Sequence, residues 1–178
     1  MVQANSLFFG QARPGGVDRS NEDGARVSVA QYTADEVIQQ FLALYNCMNF
    51  KGELEEIGIG KFQFGRRKKA LREFRALCIA LWGLALQKSF PYDAQDFFRE
   101  FQAKFPDLAS GGKAATQLRN RVNIYVDLLT PKKDTDFLPV AEYLSEVLAL
   151  DADDFRRLRL KLSLIVRNLY MLIFNKLV

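Results

Sequence analysis

Apolar positions along the chain recur at helical spacing from Ile38 onward. Ile38, Phe41, Leu42, Tyr45 and Met48 form one stripe of a 3.6-residue period. Thr33-Ala34-Asp35-Glu36 precedes them as a capping box, in which the Thr hydroxyl takes the N3 amide and Glu36 reaches back to the cap. Gly52 is read as the stop of this helix. Residues 52–65 hold four glycines and a short apolar alternation, and read as a packed loop.

A second helix is predicted over residues 66–88, with Leu71, Phe74, Cys78, Leu81 and Ala85 as its stripe. Residues 76–86 are apolar on every side, and a helix apolar all round is surrounded by others. Asp93 opens a third helix carrying Phe97, Phe98, Phe101 and Phe105, closed by Pro106, and Ser110-Gly111-Gly112 makes the next break. A fourth helix covers about residues 113–130, with Leu118, Val122, Tyr125 and Leu129 inward. Pro131-Lys132-Lys133-Asp134 is a turn. A fifth helix runs from about Asp136 to Leu150, with Pro139 tolerated in its first turn. Asp151 caps a sixth, residues 152–177, where Phe155, Leu158, Leu162, Ile165, Leu169 and Leu172 recur. Its second half, Leu164 to Phe174, is nearly all apolar and predicts a second central helix.

The pattern predicts an all-α fold: a compact bundle of about six helices with two central apolar helices, 66–88 and 152–177. Residues 33–178 read as a single domain. Residues 1–32 carry Gly10, Pro14, Gly15, Gly16 and Gly24 without any period, and read as a flexible N-terminal tail. Its one apolar burst, Leu7, Phe8 and Phe9, is a candidate docking element for a partner.

Composition removes several chemistries. The 178 residues are 49% apolar and contain no His. A Ser-His-Asp or Cys-His nucleophile, an HExxH zinc site and a di-iron bundle with Glu-x-x-His pairs are therefore excluded. Cys47 and Cys78 are too few for a Cys-rich zinc site, and both stand in apolar runs, where a thiol reads as a small buried hydrophobe. The acidic groups Asp134-Thr135-Asp136 and Asp151-Ala152-Asp153-Asp154 lack the glycine and distal Glu of a calcium loop and read as helix caps. Ser110-Gly111-Gly112-Lys113 lacks the spacing of a phosphate loop. No catalytic residue, metal or cofactor is predicted. The N-terminus has no signal-peptide pattern, and no 18-residue apolar stretch is free of charge. The expectation is a cytoplasmic protein without a transmembrane segment.

Charge is segregated along the chain. Residues 64–90 carry seven basic side chains against one acidic, net +6. Residues 134–155 carry seven acidic and no basic, net −7, and residues 156–178 carry six basic and no acidic, net +6. The densest cluster is Arg66, Arg67, Lys68, Lys69, Arg72 and Arg75, with Lys68, Arg72 and Arg75 on one helix face. Cations at a helix start oppose the macrodipole, at a cost of about 0.3–1 kcal/mol each. An external anion, pairing with the acidic segment, or a solvated face would each account for them. The exposure of Arg72 and Arg75 discriminates among these readings.

The leading functional expectation is a non-catalytic protein–protein interaction, adaptor or regulatory domain, with a protein partner or self-association. The alternative is anion or nucleic-acid binding through the basic helix 66–75. A second alternative is an apolar small ligand in a pocket lined by Phe97, Phe98, Phe101 and Phe105. A membrane surface is disfavoured, because the apolar face of the basic last helix is wanted for the core.

Overall fold

A computed structural model describes residues 32–129, 136–150 and 155–177, and every regular element among them is a helix. The capping box forms as its spacing predicts. Glu36 N donates to the Thr33 hydroxyl at 3.3 Å, Thr33 N donates to the Glu36 carboxylate at 2.9 Å, and α1 runs Ala34–Cys47. Gly52 does not end this helix. Phe50 adopts a left-handed conformation (φ 50°), which halts the chain, and Gly52 lies inside a second, short helix, α2, Lys51–Glu56. A bulky residue there is strained by about 1–2 kcal/mol, and the stack of its ring on Phe74, 5.4 Å between centroids, offsets that strain.

The segment read as a packed loop thus begins as a helix, and its end is a Schellman motif. Gly58 takes the left-handed position (φ 79°) and Ile59 N donates to the Leu54 carbonyl at 2.8 Å. Leu54 and Ile59 are both buried, the apolar contact that accompanies this cap. Among the described residues there are eight helices where the sequence predicts about six. The two extra ones are α2 and the single turn α5, Pro106–Ala109. Pro106 starts α5 at the point where it stops α4, Ala94–Lys104, because a proline without an N–H suits a first turn.

Helix α3, Phe64–Ser89, is the central helix. Every residue from Ala76 to Trp82 is buried, and α1, α4, α6 (Lys113–Leu129) and α8 (Phe155–Leu177) all pack against it. Helix α1 runs antiparallel to it, through Phe41 on Trp82 (4.5 Å), Met48 on Cys78 and Phe50 on Phe74. Phe101 of α4 closes this aromatic centre on Trp82 at 4.8 Å. Gly83 admits α4 at close range: a Cβ there would stand 3.2 Å from the Phe98 ring. Helix α6 is Lys113–Leu129, and α7 is Leu138–Val147; its N-cap is Phe137, and Oδ1 of the preceding Asp136 accepts from Leu138 N.

Helix α8, Phe155–Leu177, departs from the sequence expectation. Leu158, Leu162, Ile165, Val166, Leu169, Tyr170 and Ile173 bury one stripe against α1, α3 and α7. Phe155 and Leu172, read as inward, are exposed, and so are Leu160, Leu164 and Met171. Its second half is nearly all apolar, yet the described residues cover only one side of the helix. Among the described residues it packs against three helices, α1, α3 and α7, and is less fully covered than α3. Tyr32–Val178 forms one compact unit. The candidate docking residues Leu7, Phe8 and Phe9, the capping role of Asp151, and the acidic residues Asp134, Asp153 and Asp154 lie outside the described residues. No described helix is long and apolar enough to cross a membrane.

Candidate functional site

The basic cluster divides in two. Arg66 donates to the Ala149 carbonyl at 2.6 Å, and Arg67, half-buried, donates to the Ile59 carbonyl at 3.4 Å. Both guanidiniums are held by the backbone of this chain. Lys68, Lys69, Arg72 and Arg75 are exposed. None of the six forms an ion pair with a carboxylate of the described residues. On the acidic side, Glu142 of α7 pairs with Arg159 of α8, not with α3.

Arg72 and Arg75 open instead onto a cleft of about 250 Å³ between α1, α3, α5 and α6. Tyr45 comes from α1, Asp107 from α5, and Gln117 and Arg121 from α6. Arg72 Nε donates to the Lys68 carbonyl at 3.3 Å, which leaves its terminal nitrogens unused.

Arg121 is placed by a buried carboxylate that the sequence reading passed over. Glu73 on α3 is buried; its Oε1 accepts from Arg121 Nε at 2.8 Å and its Oε2 accepts from the Tyr125 hydroxyl at 3.0 Å. A buried charge is tolerated only when paired and hydrogen-bonded, and both of its oxygens are. Burial, followed by the nearby Glu73 charge, pushes the Tyr125 phenol far above its ordinary value. A signal was present: Glu73 is the lone acid of residues 64–90 and stands in register with Ala70 and Leu77 on the inward stripe.

The Phe stripe of α4 is mostly core. Phe101 and Phe105 are buried and stacked at 5.0 Å, while Phe97 and Phe98 are half-buried. Only Phe98 lines a depression, about 340 Å³, whose wall includes Gln87, Gln95, Arg99 and Gln102. Leu84, Val126 and Leu129 line it as well, but three of the four rings are absent from it. The two thiols also part company. Cys78 is buried, donates to Met48 Sδ at 3.6 Å, and has its pKa raised by desolvation. Cys47 is exposed, because two residues beyond Tyr45 it has rotated to the outer side of α1. Among the described residues no group of three or more Cys, Asp or Glu comes together to hold a metal ion.

The third feature is the outer side of α8. Leu160 and Leu164 are each 56% exposed and Met171 45%, on a seam opposite the buried stripe. Spacings of four and seven residues align them along one face. Exposed Arg156 and Arg167 border them, and no acidic residue lies among the described residues of the helix. Leu172 stands on the shoulder toward α1 and α2, where Glu53, Asn168 and Leu169 line a shallow groove.

No family model matches this chain, and neither the curated proteins nor the solved structures provide a match.

Proposed function

We propose that the protein is a non-catalytic helical binding module whose α8 seam docks an amphipathic helix of a partner protein. The observation that carries this reading is the exposure of Leu160, Leu164 and Met171 on one line of a helix whose other side is fully used. Full burial of such side chains contributes about 1.5–3 kcal/mol each. Half of that for each of the three leaves about 2–4 kcal/mol of burial for a partner to supply. Helix-in-groove recognition uses anchors of this kind.

Charge selects the partner. The described part of α8 carries six basic residues and no acidic one. Two copies meeting seam to seam would set like charge against like. An incoming helix with Asp and Glu beside its apolar stripe is complementary, and such complementarity raises the on-rate and excludes wrong partners.

The test is a fluorescence titration with a designed amphipathic helix of about 21 residues, three heptads, flanked by Glu. Saturable binding that weakens with salt is expected, together with much weaker binding of the same helix flanked by Lys. Equal binding of the two helices would overturn the charge argument. A dimer in sedimentation that excludes the Glu-flanked helix would give the seam to a second copy.

A further inference from the structure

The cleft between α1, α3, α5 and α6 shares no residue with the α8 seam, and we infer that it is a binding site for a single phosphomonoester group. Arg72 and Arg75 reach it from α3 and Arg121 from α6. Its α1 wall is Tyr45, whose ring is mostly buried and which lines the cleft beside the three arginines. A phenol hydroxyl on a cleft wall can donate to an anion seated there. Burial pushes its pKa up to about 12, with the Arg75 charge acting in the opposite direction, so the hydroxyl keeps its proton at neutral pH and donates.

The donors outnumber what a carboxylate can accept. Arg121 spends Nε on Glu73 and Nη1 on the Gln117 carbonyl and retains Nη2. Arg72 retains its terminal nitrogens, and Arg75 forms no hydrogen bond or ion pair among the described residues. Guanidinium forks match phosphate oxygens in pairs. A phosphomonoester offers three acceptor oxygens and nearly two negative charges at neutral pH. Ser110 and Ala114 bring the start of α6 to the same cleft, and the first-turn amides of a helix have no partner within it.

The shape argues for one group and not for a nucleic-acid strand. The site is concave and smaller than the 300–1,000 Å³ typical of sites for drug-sized ligands. Asp107 also stands on its wall and offsets one of the three arginine charges there. A phosphorylated side chain of another polypeptide and a free phosphorylated metabolite present the same chemistry.

Titrations followed by heteronuclear NMR decide the matter, using inorganic phosphate, an O-phosphoserine peptide, the same peptide with Glu in place of phosphoserine, and a single-stranded oligonucleotide. Phosphate and phosphopeptide are expected to shift resonances of the α3 and α6 residues lining the cleft, with the Glu peptide weaker by roughly tenfold or more. Phosphopeptide binding tighter than phosphate assigns the group to a polypeptide; the reverse assigns it to a free small molecule. Arg75→Gln should weaken binding about tenfold and Tyr45→Phe a few-fold, with melting temperatures kept near that of the parent. Equal binding of the Glu peptide, or unchanged affinity in both variants, would overturn the site. Oligonucleotide binding that Lys68→Gln and Arg75→Gln weaken alike would replace it with a polyanion track.

Discussion

From Ala76 to Trp82 no residue of α3 reaches solvent, whereas on α8 buried Leu162, Ile165 and Leu169 lie opposite half-exposed Leu160, Leu164 and Met171. Both helices have apolar residues on all sides, and the sequence alone presents them as equals. Apolarity measures how much surface needs cover; it does not say which molecule supplies that cover. Helix α3 is covered by its own chain through α1, α4, α6 and α8. The described residues cover α8 from one side only.

The largest separation between the two helices is in stability. Trp82→Ala removes the ring stacked on Phe41 and set edge-on to Phe101 and should cost about 3–5 kcal/mol. Leu164→Ala, at half exposure, should cost under about 1 kcal/mol. Urea unfolding midpoints measure both, and similar losses would erase the distinction between core and seam.

Ion pairs should divide the same way. Glu73 and Arg121 have side-chain exposures of 4% and 27%, and Glu73 also accepts from Tyr125, so Glu73→Gln leaves an uncompensated guanidinium. Breaking a fully buried pair costs 3–5 kcal/mol; the solvent reaching Arg121 reduces this to about 2–3 kcal/mol. Glu142, which pairs with Arg159 of α8, is 45% exposed, and Glu142→Gln should cost under about 1 kcal/mol. Equal costs would contradict the difference in burial.

A smaller effect appears at high pH. The Tyr45 phenol has a folded-state pKa of about 12, above its ordinary value of 10.0. The fold therefore holds this proton more firmly than the unfolded chain does. That contribution to stability is complete below pH 10 and is lost as the pH rises toward 12. Tyr45→Phe should flatten the decline of melting temperature across this window, and an unchanged slope would show that Tyr45 is not desolvated.

The smallest effect lies where α3 grips the end of α7. Ala149 is left-handed (φ 46°), and its carbonyl accepts from Arg66. Ala149→Gly relieves the strain, offset in part by the greater freedom of glycine when unfolded. A net gain of about 0.5 kcal/mol in thermal unfolding is expected, and a loss would mean that the backbone there is not strained.

What the sequence made legible was local. The Thr33–Glu36 box, the stripe of α3 and the breaks at Pro106 and Gly111-Gly112 each depend on neighbours within a turn or two. Helix α2 was not legible, because it depends on a left-handed Phe50 held by Phe74, a contact across 24 positions. The charge partition of α3 was only half legible. Lys68, Arg72 and Arg75 announce themselves by spacing, but Glu73, Arg121 and Tyr45 acquire their roles from helices far apart in sequence. Phe155 and Leu172 keep the spacing of the buried stripe, but Phe155 is the first residue of α8 and Leu172 lies on its shoulder, and spacing does not show how far the neighbouring helices reach.

The central claim is that the seam of α8 serves a partner and not the fold. Its most direct test is the variant Leu160→Gln, Leu164→Gln, Met171→Gln, with thermal unfolding and titration of the Glu-flanked helix measured on the same samples. The account predicts a melting temperature within about 4 °C of the parent, as expected for a change near 1 kcal/mol in a domain of this size, and affinity for the helix reduced at least roughly tenfold. A melting temperature lowered by about 10 °C or more, or undiminished affinity, would contradict it.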